Sequence, residues 1–275
     1  NDPDVDAIYI GTPHPMHADN AIMCLEAGKA VLCEKSFAVN ASQARRMVDT
    51  ARAKGCFLME AMWTRFLPHM QELRKQLEAG VIGELKLLEA DFGFAAKINP
   101  EHRLFNPDLG GGSLLDVGIY PLSFASWLLG VPTKVHGVAH LGETGVDEVM
   151  SAVLEHPGGA QSRIASAVTV QTPQTARLVG TEGYLTVGWP WYGIPRDNSH
   201  REHHLTITKH QSDAEEVITV PHTGHGYQYE AAEVGRCVRE GLLESPTMPL
   251  AETIAIMEVM DTLRESWGLR YPQER

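Results

Sequence analysis

Short apolar runs at residues 5–10, 30–33 and 56–59 alternate with two helix-periodic segments, and that alternation limits the folds open to the front of the chain. Runs this short and rich in aliphatic residues suit strands buried on both faces, and strands joined through helices pair in parallel. The first helical segment places Ala21, Ile22, Leu25 and Ala27 in a helical apolar pattern and is stopped by Gly28. The second opens on Asn40-Ala41-Ser42-Gln43, an acceptor at the cap position with a glutamine three residues on, and ends near Gly55. Strand-helix-strand-helix-strand is one half of a doubly wound α/β sheet. Ligands of such sheets sit at the carboxyl ends of the strands, so Glu34-Lys35, which closes the second run, is either a pair placed for chemistry or a solvated ion pair.

A complete dinucleotide-binding sheet has two such halves, and the first holds a glycine-rich phosphate turn. No G-x-G-x-x-G stands between a strand and a helix here, and Gly110-Gly111-Gly112 follows no strand directly. The expectation is that the other half, on the order of 60 residues, lies upstream of Asn1. Residues 1–62 are then a partial nucleotide domain and 63–275 a second domain. In the second, helical patterns at 68–79 and 113–129 flank a strand at 85–94. Further strands at 135–140, 148–155, 160–170, 176–179, 184–187, 205–209 and 215–220, punctuated by Pro157-Gly158-Gly159 and Glu182-Gly183, predict a large, mostly antiparallel sheet. Residues 190–204 read as an irregular loop, and helices beginning near 227 and 250 close the chain.

A net charge of -12 opposes nucleic-acid and anionic-membrane partners and favours a small molecule, since no Lys/Arg run offsets it. Cys24, Cys33, Cys56 and Cys237 show no paired spacing, which suits reduced thiols in the cytoplasm. No apolar run approaches the roughly 18 residues of a membrane span. His200, His203, His204, His222 and His225 invite a metal reading, but no cysteine or H-E-x-x-H frame accompanies them, and no metal is assigned.

The segment from Gly110 to Pro121 adds a second candidate for chemistry. With Ser113 as a helix cap, Asp116 and Tyr120 lie four residues apart and project from one face. Asp116 also fits the third position of a capping box begun by Ser113. Pro121 has no N–H for the carbonyl of Val117, so a kink is expected, and Gly118 would admit a close backbone.

Glu34-Lys35 after a strand, Thr12-Pro13-His14 with His17 after the preceding strand, and the run from Gly110 to Pro121 together resemble the Gfo/Idh/MocA family of NAD(P)-dependent oxidoreductases. Tyr120 stands where one branch of that family has tyrosine and another histidine, and the likeness extends through Glu60-Ala61-Met62-Trp63-Thr64-Arg65-Phe66. The resemblance implies an α/β fold: the C-terminal half of a Rossmann dinucleotide domain, then an α+β domain with an open sheet. It implies hydride transfer between NADP or NAD, NADP favoured, and the CH–OH group of a sugar, cyclic polyol or trans-dihydrodiol. It implies Lys35, Tyr120 and Asp116 as catalytic residues, with Gly11, Thr12, Pro13, His14, His17, Glu34, Lys35 and Arg103 on the cofactor. Trp63, Arg65, Phe92 and Tyr120 would bind substrate, and a homodimer or higher homo-oligomer is expected. An ammonium about 4 Å from a phenol favours phenolate, against burial, so Lys35 is expected to tune Tyr120 as a base. The family usually has proline after Glu-Lys, and this chain has Ser36. A non-catalytic cofactor- or sugar-sensing regulator on the same scaffold is the alternative; the Lys35–Tyr120 pair argues against it.

Overall fold

The computed structural model describes residues 2–194, 202–212 and 214–274. Strands β1 (Ala7–Ile10), β2 (Ala30–Glu34) and β3 (Leu58–Ala61) form a parallel three-stranded sheet in that order. Helices α1 (His17–Glu26) and α2 (Ala41–Lys54) make the crossovers. The α2 cap is as expected: Asn40 accepts the amide of Gln43, and Gly55 ends the helix at φ 62. Val31 and Cys33 in the central strand have no solvent exposure, as strands covered on both faces require.

After the short turn Trp63–Phe66 and helix α3 (Pro68–Glu78), the chain enters the large sheet. Its strands are β4 (Leu85–Gly93), β5 (Lys134–Leu141), β6 (Asp147–Glu155), β7 (Gln161–Ala167), β8 (Ala176–Gly180), β9 (Gly183–Val187), β10 (Glu202–Lys209) and β11 (Glu215–Pro221). The spatial order is β11-β10-β9-β8-β4-β7-β6-β5, and only the β4–β7 pair is parallel. Helices α4 (Ile119–Leu129) and α6 (Leu250–Trp267) cover one face, and α5 (Tyr227–Arg239) packs against β2 and the Trp63–Phe66 turn. The other face is uncovered: the row Val217, Thr206, Thr186, Arg177, Glu89, Arg163, Val153 and His136 crosses all eight strands on that side. One stretch, Pro107–Leu129, has the length and apolar character of a membrane span, and 83% of its apolar window is buried inside this fold.

Two expectations need correction. Residues 202–204 are not loop but the start of β10, whose alternation turns His203 inward and His204 outward. The segment after the glycine run is not one helix capped by Ser113. Leu114–Gly118 is a π-helical turn leading into α4, and Ser113 has helical dihedrals with its Oγ donated to Asp147 Oδ2 at 2.8 Å. Asp147 also accepts the amide of Leu114 at 2.7 Å, so β6 caps this helix from outside and Asp116 is released from any capping role. Gly118 admits not a backbone but the Ser166 side chain, whose Oγ would stand 2.8 Å from an added Cβ. At Gly112, φ is +118 and an added Cβ would overlap Asp147 Oδ1. Gly112→Ala is therefore expected to cost about 2 kcal/mol or more in urea unfolding. Gly28→Ala, at positive φ with open space around it, should cost only about 1 kcal/mol.

Candidate active site

The wide register of the π-helical turn decides where Lys35 rests. In that register a carbonyl faces the amide five residues on, so the group Pro121 cannot serve is the carbonyl of Asp116, not that of Val117. Lys35 Nζ donates to this carbonyl at 2.8 Å. Beside it, Ser36 Oγ, fully buried, donates to the carbonyl of Leu115 at 2.8 Å. The Lys35–Ser36 peptide is cis. Phe37 N donates to Glu60 at 3.2 Å, and the carbonyl of Ser36 meets His17 Nδ1 at 2.9 Å, so the turn is held from three directions. Ser36, which the sequence left unexplained, thus makes a bond across to the π-helical turn that leads into α4.

These contacts line a cavity of about 1050 Å³. Gly11, Thr12, Pro13, His14, Glu34 and Lys35 reach it from the carboxyl ends of β1 and β2. Asp116, Tyr120, Arg103, Trp63 and Phe92 reach it from the other side. His17 and Arg65 do not. His17 is buried behind the loop, with Nε2 2.7 Å from the carbonyl of Thr12, and so braces the loop. Arg65 is 1% exposed and makes a bidentate pair with Glu252 at 2.7 and 2.9 Å, with further bonds to Ser123. Arg65 is therefore an anchor under the Trp63 turn, and its reading as a pocket wall is corrected.

Burial sets most of the protonation states. His14 Nδ1 donates to the carbonyl of Gly110 at 3.0 Å, which fixes the tautomer, and burial, then Lys35 and His17, lower its pKa to about 4. Burial pushes Asp116 up, but the ammonium of Lys35 and the guanidinium of Arg103 outweigh it and hold the carboxyl below its ordinary value. Tyr120 departs from expectation. Its pKa is raised well above the ordinary phenol value by burial, with only the bond from Trp63 Nε1 (2.9 Å) prominent in the other direction. Lys35 stands over the phenol ring: Nζ sits 5.1 Å from the ring centroid and donates to Asp116's carbonyl.

Several lining residues escaped the sequence reading. Tyr192 stacks on Phe92 with centroids 3.6 Å apart and meets Tyr120 edge-on at 5.8 Å, while Tyr227 stacks on Trp63 at 4.7 Å. Trp189 and Gln174 complete that wall, and the only available signal was the aromatic run Trp189-Pro190-Trp191-Tyr192. Tyr9 donates its hydroxyl to Glu34. His203 stacks on His69 at 3.9 Å, with Nε2 of each near the carbonyls of Pro190 and Trp191 respectively. His204 pairs with Thr219, His225 borders the cavity, and His200 lies outside the described residues. Among the described residues no group of three ligand-type side chains is placed to hold a metal.

A phenol, a lysine and a carboxylate gathered at the ends of parallel strands define the class: an oxidoreductase whose cavity has room for a nicotinamide and a small ring. The comparisons agree. A model described as an oxidoreductase family with an NAD-binding Rossmann fold matches residues 1–62, and one described as the GFO/IDH/MocA C-terminal domain matches 70–186. The chain is 38% identical over 284 residues to trans-1,2-dihydrobenzene-1,2-diol dehydrogenase of Mus musculus, spanning all of this chain and 81% of that protein. A 3-ketoreductase from Actinomadura kijaniata, in complex with NADP and TDP-benzene, superposes with TM-score 0.84 at 25% identity, covering 96% of this chain and 79% of its own. An aldose-aldose oxidoreductase from Caulobacter crescentus shares the fold at TM-score 0.85 and 24% identity, covering 96% and 78%. The chain belongs to the Gfo/Idh/MocA family and is an NAD(P)-dependent dehydrogenase.

Glu230 on α5 is a further buried acid near the cavity. It is 1% exposed, its Oε2 has no hydrogen-bond partner among the described residues, and burial, then Glu34, raises its pKa from 4.5 to about 9. An unfolded chain ionises this carboxyl near 4.5, so between 4.5 and 9 the unfolded state binds fewer protons and stability falls as pH rises. Glu230→Gln should match the parent below about pH 4.5 and gain on it steadily up to about pH 9 in thermal or urea unfolding. A constant difference across that window would show that Glu230 is ionised in the fold.

Proposed function

We propose that this dehydrogenase transfers a hydride between NADP and the carbinol carbon of a ring diol or sugar, with Tyr120 as the proton-exchanging group. The observation behind this is a buried, protonated Tyr120 inside an aromatic cavity, with the Lys35 ammonium over its ring. The name of the mouse relative supports a trans-dihydrodiol, and the NADP bound to the Actinomadura enzyme supports that cofactor.

Gly11, Thr12, Pro13, His14 and Glu34, with His17 bracing the loop, would hold the nicotinamide end, and Arg103 would reach it from across the cavity. When bound, the nicotinamide supplies or accepts the hydride. Trp63 Nε1 already donates to the Tyr120 oxygen, so the phenol's own proton is free to point at a substrate oxygen. In reduction Tyr120 gives that proton to the carbonyl oxygen, and the phenolate left behind keeps the Trp63 bond and the field of Lys35. In oxidation Tyr120 must first lose its proton, against its raised pKa. Asp116 pairs with both Lys35 and Arg103, so that neither cation is left without a counter-charge beside a neutral substrate. Phe92, Trp63 and the ring of Tyr120 offer apolar faces to one side of a ring diol.

The domain division at 62/63 is supported by the chain's passage there from the small sheet to the Trp63 turn. The uncovered face of the large sheet, with Val138 72% exposed, supports a homodimer or higher homo-oligomer built on that face. Four free cysteines support work in the cytoplasm.

Tyr120→Phe is expected to lower kcat by about 10²–10⁴ while the protein remains folded. Wild-type oxidation should accelerate into the alkaline range, and reduction should not, because the raised pKa keeps Tyr120 an acid near neutrality. Turnover of Tyr120→Phe within tenfold of wild type would remove the proton-transfer role.

A further inference from the structure

Gln174 lies between β7 and β8 and is the only non-glycine residue with positive φ, 55, among the described residues. Backbone in that region is uncommon for a side-chain-bearing residue and persists only where its surroundings enforce it. The enforcing group is Asp91 on β4. Its carboxylate accepts the amide of Gln174 at 2.6 Å, the amide of Thr175 at 3.0 Å and the hydroxyl of Thr175 at 2.8 Å.

The clamp delivers a side chain that is 5% exposed and whose amide is used at both ends. Nε2 donates to the carbonyl of Gly93 at 2.9 Å, which settles which end is nitrogen. Oε1 then accepts from Trp189 Nε1 at 3.1 Å and from Tyr192 Oη at 3.4 Å. Trp189 and Tyr192 both border the cavity, and Tyr192 stacks on Phe92 at 3.6 Å, the two rings meeting Tyr120 edge-on at 5.8 and 5.2 Å. One amide oxygen therefore fixes two aromatic walls relative to the phenol.

We propose that Gln174 is a specificity-determining positioning residue: it holds Trp189 and Tyr192 as a rigid aromatic wall beside Tyr120, and so selects ring-borne diols over open-chain ones. A ring gains from a wall already in place, because its one broad, preformed face makes contact at little cost in ordering either partner. An acyclic diol must first fix its own torsions to present such a face. The proposal rests on the reading of the cavity as a diol or sugar site.

The test uses the full-length protein with NADP and compares trans-1,2-cyclohexanediol with 2,3-butanediol, by turnover and by calorimetric binding. Gln174→Leu removes both acceptor contacts at similar volume. Its kcat/KM ratio for the cyclic over the acyclic diol should fall about tenfold, in KM more than in kcat, with a matching loss in cyclic-diol binding. Tyr192→Phe keeps the ring and removes one donor, so it should shift the ratio in the same direction. The double variant should lose less than the product of the two, since both act through one contact. An unchanged ratio in Gln174→Leu, or losses that multiply, would overturn the proposal. If Gln174→Leu does not fold, an unchanged ratio in Tyr192→Phe overturns it instead. Tight binding of the cyclic diol without turnover would count against the proposed reaction and leave the wall's role standing on the binding data.

Discussion

The bonds from Lys35 and Ser36 to the successive carbonyls of Asp116 and Leu115 join the end of β2 to the π-helical turn before α4, at the cavity proposed as the active site. The first depends on a backbone irregularity. An α-helical register would point the Asp116 carbonyl along the helix axis into the amide of Tyr120, leaving only its second lone pair for a residue on another element. The wider turn and the missing N–H of Pro121 leave the Asp116 carbonyl for Lys35. The ammonium is thereby satisfied by a neutral acceptor and kept at 5.1 Å from the Tyr120 ring, where it can act through its field without forming a fixed ion pair with the phenol.

That arrangement explains why the phenol stays protonated. The attraction expected from a nearby ammonium acts on the ionised oxygen, and its strength falls with distance and with competition from other charges. Burial is the largest effect favouring the neutral phenol, and Glu34 and Asp116, which border the same cavity, add to it. Lys35 alone does not overcome these effects. The same reasoning makes His14 neutral and Glu230 an undissociated acid. A cavity whose cations Lys35 and Arg103 are set against the acidic side chains of Asp116 and Glu34 suits the neutral hydroxyl substrate proposed, for which a net field would bring no selectivity.

Much of the fold was legible because its signals are local. Strand and helix periodicity, the Asn40 cap and the stop at Gly55 each depend on a few neighbouring residues, and each element formed close to where the pattern put it. The carboxyl-end location of Lys35 was legible too, since it follows from element geometry, whereas Asp116 and Tyr120 border one cavity from a π-helical turn and α4 and not from the single helix expected. What could not be read depends on partners distant in sequence. Asp147 caps a helix 33 residues before it. Ser36 finds its acceptor 79 residues on. Gln174 occupies an unfavourable φ because Asp91 is beside it. No local pattern announces a π-turn whose cause is partly a proline beyond its end.

Arg65 shows how a residue can be misread in role and still belong to the site. The family resemblance implied a pocket wall, and the side chain instead turns inward to Glu252 on α6. Glu252 also accepts from Ser126 on α4, so the ion pair ties both covering helices to the Trp63 turn. A buried pair of this kind adds little net stability over apolar packing, but losing one partner leaves an uncompensated charge. What it supplies is position. Trp63 Nε1 must point at the Tyr120 oxygen, and the bidentate guanidinium beneath it removes the freedom of the turn to rotate. The proton transfer proposed for Tyr120 therefore depends on the last long helix of the chain as well as on the lysine at the end of β2.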